Sequence, residues 1–434
     1  MRFPHFCVLL FCACIISCTP NLSDDANKPE DSATKPDPVA VFTLSELPEL
    51  DPATALPSGG TVKLALEWSE SWTAVADKDW LTATPASGDK GKCTILLTTA
   101  PNDDTHAREA TLTVSSENGT AQVTVRQHPN CYNRTYKCSR KVNWSFCWIY
   151  DKSANMARSR ILMPFPEDSE YQSYRDRVFD QNLLRTSPEG VKYLISDQQS
   201  PNCPKSGESC LEQSFTVDYY DVRVDFSLIE DRNLPYDKDS DSYKRYTKQI
   251  RDENNTIMID PEDSRIIIVS RALWEESGED RIEYARLCHK WIIDNIQYGI
   301  FDGPNSINDI LSRMQGDCGN QHAVWMSLMR AAGIPARPIV MKAPDPDGYS
   351  HVRAEFYIPG YGWIPVDPTN EQGTGEDYFG AFKYEPLVVM NNDFAFTGVD
   401  RNNKKFIVGM LQGLSVVIWG SGDYEGQEHF DFVD

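Results

Sequence analysis

Residues 320–332 contain neither Gly nor Pro and are apolar almost all round, the pattern of a helix buried on every side. Its ends are marked as well. Asp317 can cap the start, while Gly333 and then Pro335 are ordinary stop signals. This cap places Cys318 in the first turn, where unpaired backbone N–H groups and the positive end of the helix dipole favour a thiolate. A dipole rarely activates a thiol unaided, so a base has to stand nearby.

From His351 the pattern changes to strict alternation. Val352, Ala354, Phe356 and Ile358 take one face, and His351, Arg353, Glu355 and Tyr357 the other, which predicts a half-buried strand. Pro359-Gly360-Tyr361-Gly362 reads as a tight turn, and Trp363, Pro365 and Asp367 share one face of the returning strand. Keeping the apolar faces together pairs odd-numbered with odd-numbered residues. With Tyr357 opposite Tyr361, His351 faces Asp367 directly; with Tyr357 opposite Trp363, the two are diagonal neighbours. Either register lets Asp367 hold the imidazole of His351 in one tautomer and leaves its other nitrogen for Cys318. The three residues read as a thiol catalytic triad.

These residues carry a resemblance to the transglutaminase-like (transglutaminase core) superfamily. The matching features are Gly-x-Cys at a helix start, Ala-Ala-Gly-Ile-Pro-Ala-Arg at 331–337, His-x-x-x-Glu at 351–355 and Trp-x-x-x-Asp-Pro-Thr at 363–369. The resemblance implies a papain-like α+β core with Cys318 as nucleophile, His351 as base and Asp367 as orienter. Upstream, Tyr284, Leu287, Cys288, Trp291, Ile292 and Ile296 recur at helical spacing, as in the helix such domains place before the nucleophile. His322, one turn after Cys318, reads as a core or supporting residue, and Glu355 as half of an ion pair with Arg353 or Arg337. Papain-type sites often carry a Gln six residues before the nucleophile, but that position is Ser312 here. The Cys318 backbone N–H can serve as one oxyanion donor, and Gln315 and Tyr298 are the candidates for the second.

The length of 434 residues fits about three folded units. A net charge of -22 argues against a nucleic-acid partner, which needs clustered Lys and Arg. Residues 1–17 read as a signal peptide whose apolar run is too short to span a bilayer. Ile15-Ile16-Ser17-Cys18 resembles a bacterial lipobox, which makes Cys18 the expected lipidation site, the lipid the only membrane contact, and the product an outer-membrane lipoprotein facing the cell surface or the periplasm. Residues 18–40 are a polar tether.

Residues 41–130 alternate between turn signals and predict a small all-β sandwich of immunoglobulin-like type. Gly59-Gly60, Trp72, Asp79-Trp80-Leu81, Pro85-x-x-Gly88, Asn102, Arg108-x-Ala110-x-Leu112 and Gln127 resemble a BACON domain. That resemblance implies glycan or mucin binding, for which Trp68 and Trp72 are the candidate stacking residues; Trp80 reads as core, and a spacer role is the alternative. Residues 131–260 form a second β-rich region, 261–390 the catalytic core, and 391–434 a C-terminal β extension, with 387–390 and 414–419 read as strands closing the sheet. Among the cysteines of 131–210, Cys203 with Cys210 is the preferred disulfide, and no zinc spacing or cofactor motif is evident.

A thiolate paired with a His attacks a carbonyl and forms a thioester. Water as acceptor gives peptide or amide hydrolysis of a protein or glycoprotein, a lysine amine gives cross-linking, and a glycosylated asparagine as donor makes an N-glycanase. Hydrolysis is the favoured reading; a non-catalytic surface protein that binds glycan or protein would be expected to lack a triad residue.

Overall fold

The computed structural model describes residues 41–44, 54–55, 57, 59–151, 154–230, 232–300, 305–344, 348–400 and 402–433. The chain divides into one compact unit ending at Pro129 and another beginning at Asn130. The first contains two sheets, ordered Val41–Leu44, Gly60–Trp68, Gly91–Thr99, Leu81–Thr84 and Thr54–Ala55, Thr120–Gln127, Arg108–Ser115, Trp72–Ala76, Ser87–Gly88. Leu64, Leu66, Trp68, Ile95 and Leu97 from one sheet and Trp72, Leu112 and Val114 from the other form a single core. Position 88 has to be glycine here, since a Cβ would lie 2.7 Å from the Trp72 ring.

The second unit begins as another pair of sheets. One is ordered Gln172–Phe179, Ser209–Val224, Tyr132–Tyr150, Tyr424–Phe432, and the other Leu184–Thr186, Lys192–Gln199, Asn155–Pro164, Ser415–Ser421. Trp144, Ile161, Phe215 and Phe430 belong to the core they enclose. The last two strands of the described chain thus complete the sheets begun by Tyr132 and Asn155, and 414–419 does not join the catalytic sheet as expected. The 387–390 segment does join it, as the strand Val388–Asn391 paired with Ala336–Lys342.

That catalytic sheet is antiparallel, ordered Gly362–Val366, Ser350–Ile358, Ala336–Lys342, Val388–Asn391. Beneath it runs the helix Cys318–Ala331, every residue of which from Asn320 to Arg330 is buried. Helices Ser264–Glu276 and Arg281–Asn295 pack against the same helix, so its length from Asn320 to Arg330 is covered while its first residues, Cys318 and Gly319, stay partly exposed. Its termini follow the sequence signals: the Asp317 side chain accepts from the Asn320 N–H at 2.9 Å, and Gly333 takes φ +72°.

The strand Ser350–Ile358 is buried on both faces rather than half-buried. The expected polar face is covered by the neighbouring β region: the Tyr171 hydroxyl donates to Glu355 at 2.7 Å and Phe382 stacks on the Arg353 guanidinium. Trp325 is fully buried with its ring centroid 6.0 Å from that of Phe356, joining helix to sheet. Trp325→Ala is expected to cost about 3–5 kcal/mol of stability, checked by denaturant unfolding against wild type.

Candidate active site

Three elements converge on the site. Cys318 opens the buried helix and remains only partly buried. His351 lies near the start of the central strand, and Asp367 follows the strand Gly362–Val366. In the hairpin Tyr357 pairs with Trp363, the second of the two registers expected, so His351 and Asp367 are diagonal. The diagonal is closed by a 2.8 Å hydrogen bond between His351 Nε2 and Asp367 Oδ2. Nδ1 is the ring nitrogen left for Cys318, which is near enough to act on the imidazole.

Asp367 is fully buried and richly partnered. It caps the helix Pro368–Thr374, its Oδ1 accepting from the Asn370 N–H at 3.0 Å, and the Arg353 Nε stands 2.9 Å from Oδ2. Burial alone would push this carboxyl up. His351, through its charge and hydrogen bond, outweighs that effect together with Arg353 and His322, and holds the carboxyl far below its ordinary range. For His351 burial alone would depress the imidazole, but the charge and hydrogen bond of Asp367, with the Cys318 thiol, push it up to about 10. The arrangement therefore favours an imidazolium beside the thiol at neutral pH.

His322 behaves as expected of a supporting residue. Its Nδ1 donates to the Cys318 carbonyl at 2.7 Å, its Nε2 stands 3.8 Å from Asp367 Oδ1, and burial pushes it down to about 4. The neutral ring pins the first turn of the nucleophile helix. Glu355 pairs with Arg337, one of the two partners expected for it.

Tyr298 and Gln315 lie on the short parallel pair Gln297–Tyr298 and Gln315–Gly316 that leads into Asp317. Burial raises the Tyr298 hydroxyl, and the nearby Cys318 and Asp317 charges raise it further. The Gln315 amide lies over Gly299, where an added Cβ would approach its nitrogen to 2.1 Å. Ser312 is turned elsewhere, its hydroxyl donating to the Asn308 carbonyl. Of the 344–348 loop, 345–347 lie outside the described residues; Tyr349 beyond it is exposed and donates to Glu385 at 2.5 Å.

Two sets of expected residues are placed differently. Trp68 and Trp72 are both 2% exposed inside the first unit's core, so neither offers a ring face to a sugar. Trp80, expected in the core, is the partly exposed one, with the Arg108 guanidinium 4.5 Å from its ring. The Cys203 and Cys210 sulfurs lie against different carbonyls, those of Gln198 and Glu208, and are not joined to each other as expected. Cys18 lies outside the described residues.

Sequence reasoning passed over two supports of the site. Gln321 donates to the Ile296 carbonyl and to Gln372 and accepts from Thr369, tying the nucleophile helix to the helix that Asp367 caps. Asn370 was legible, because Asp-Pro at 367–368 is an N-cap followed by Pro at the first helical position.

Residues 271–368 match the family model of the transglutaminase-like superfamily, and residues 70–128 match the BACON model, described as "putative binding domain, N-terminal". The chain therefore carries a transglutaminase-like core and a BACON domain. It is 31% identical over 116 residues to an uncharacterized protein of Haemophilus influenzae, a stretch that is 20% of this chain and 31% of that one; it spans about a third of that relative's length. Among solved structures it is similar to a "putative cysteine protease" of Cytophaga hutchinsonii, with 17% identity, a TM-score of 0.44, and 70% of this chain and 93% of that one covered. It is also similar to the periplasmic domain of TgpA from Pseudomonas aeruginosa, with 13% identity, a TM-score of 0.30, and 71% and 90% covered. A Bacteroides ovatus GH5 xyloglucanase in complex with a XXXG heptasaccharide shares 19% identity at a TM-score of 0.18 over 20% of this chain and 19% of that one.

Proposed function

We propose that this chain is a cysteine hydrolase that cleaves amide or peptide bonds of proteins or glycoproteins through a thioester on Cys318. The observation that carries the reading is the convergence of the partly buried Cys318 on His351, whose ring is hydrogen-bonded at 2.8 Å to the fully buried Asp367. The thiolate adds to the substrate carbonyl, and the charge on its oxygen is met by the Cys318 N–H at the helix start, with the Tyr298 hydroxyl or the Gln315 amide as second donor. Collapse of the tetrahedral intermediate transfers the His351 proton to the departing amine and leaves the acyl group on sulfur. Neutral His351 then takes a proton from water, whose oxygen attacks the thioester; the carboxylic acid departs and the thiolate–imidazolium pair returns. Anchored through Cys18 at the outer-membrane surface, the enzyme would meet polymers outside the cell. The BACON domain would serve it as a spacer, or bind glycan through a surface other than Trp68 and Trp72.

The test is the fate of the acyl group in water enriched in ¹⁸O, with peptide, glutamine-peptide and glycopeptide probes offered beside a lysine amine. Incorporation of ¹⁸O into a new peptide carboxylate, with a transient acyl adduct on Cys318, is expected. A new isopeptide bond would make the chain an acyltransferase, and conversion of a glycosylated Asn to Asp would make it an N-glycanase. No adduct on Cys318 with any probe would overturn the enzymatic reading.

A further inference from the structure

We infer that Arg353 and Glu385 extend the triad into a chain of alternating charge, in which Arg353 is a positioning residue that holds Asp367 ionised while His351 is neutral. The inference rests on the hydrolase reading of the same site, and concerns a moment in the cycle that the triad alone leaves exposed. Once His351 has given its proton to the departing amine, Asp367 faces a neutral ring. A fully buried carboxylate in that position, no longer faced by an imidazolium, would tend to take up a proton from solvent. Arg353 prevents this, because a guanidinium keeps its charge throughout the cycle.

The geometry suits that task. Arg353 is itself fully buried, with Nε 2.9 Å from Asp367 Oδ2, the same oxygen that bonds His351 Nε2. The Arg353 contact is ionic and lacks the alignment of a hydrogen bond, so it supplies charge without displacing the imidazole from the lone pair it uses. On its far side Arg353 is clamped: Nη2 pairs with Glu385, Nη1 donates to the Lys383 carbonyl at 3.2 Å, and the guanidinium lies 4.3 Å over the Phe382 ring. Glu385 offsets a cation that would otherwise repel the imidazolium. It is held in turn by the Asn370 amide at 2.9 Å and by the hydroxyl of the exposed Tyr349. The charges outward from the His351 ring thus alternate as imidazolium, carboxylate, guanidinium, carboxylate. The groups around the His351 ring are Cys318 and His322 from the nucleophile helix, Asp367 from the hairpin, and Arg353 on its own strand.

Two variants with opposite electrostatic consequences test this on the soluble protein, residues 19–434, with no substrate required. In Glu385→Gln an uncompensated cation stands behind Asp367, and the titration midpoint of His351, followed by NMR of ¹³C-histidine-labelled protein, is expected to fall by about one pH unit, a tenfold loss of proton affinity. In Arg353→Met the carboxyl is easier to protonate, and the acid limb of Cys318 alkylation by iodoacetamide is expected to move up by about one pH unit. A packing role alone would lower stability and leave both curves where wild type has them, and that result would overturn the inference. Should Arg353→Met fail to fold, the Glu385→Gln titration decides, since Glu385 is near the surface and the change keeps its shape. Absence of rapid Cys318 alkylation in the wild type would instead sink the triad reading itself.

Discussion

Replacing His351 by alanine is expected to lower kcat/KM by about 10³–10⁴-fold, because one ring supplies both the proton for the leaving amine and the base for water. In the wild type the activity should persist to alkaline pH and fall as pH passes about 10, where the imidazolium loses its proton. The same shift acts on folding. A group whose proton affinity is raised by folding adds stability that is complete below its unfolded value, about 6.5 for His, and is lost as pH rises through the folded one. The margin in melting temperature between wild type and His351→Gln should therefore narrow between pH 6.5 and about 10. A margin that stays constant over that interval would mean that His351 carries no raised proton affinity in solution.

Asp367→Asn is expected to cost a similar factor, about 10³–10⁴ in kcat, by a different route. The amide keeps the shape and the helix cap but cannot hold an imidazolium, so the alkaline limit should drop from about 10 towards the ordinary histidine value. For stability the sign is reversed. A carboxyl held low by folding stabilises above its unfolded value of about 3.9 and loses that contribution as pH falls through the folded one. Both variants lose the anion facing His351 and Arg353, and Asp367→Ala should be less stable than Asp367→Asn by a further amount of about 1 kcal/mol, since only it removes the cap on Asn370. Activity, pH–rate profile and chemical denaturation of the two variants together check this; equal stability of the two would show that the cap on Asn370 contributes nothing.

The proposed triad could be read from the sequence because each member sits at a local signal: a capped apolar helix for Cys318, an alternating strand for His351, a strand end followed by Pro for Asp367. The register could not, because Pro359-Gly360-Tyr361-Gly362 permits two turns of different length. The structure chooses the one in which Ile358 pairs with Gly362. That choice also sets Arg353 against Asp367, a pairing the second register implies, and leaves Glu355 to Arg337. Glu385 is beyond such reasoning, being brought in by a segment that only tertiary packing places. Trp68 was legible: it continues the alternation of Leu64 and Leu66 and so shares their buried face. Trp72 and Trp80 stand next to turns, where alternation gives no face.

The two strands that follow residue 414 have a consequence for the order in which this protein can be made. The sheets opened by Tyr132 and Asn155 lack an edge until Ser415–Ser421 and Tyr424–Phe432 have been synthesised, while Cys318, His351 and Asp367 have all emerged by then. The catalytic layer is thus an excursion made from a half-built sandwich. That sandwich leaves Trp144, Trp148 and Ile161 without cover from the missing strands for the whole of it. Pairings of such long span slow folding and leave sticky strand edges waiting. A polypeptide released before those strands would hold Cys318, His351 and Asp367 and still present an open, apolar edge to its neighbours.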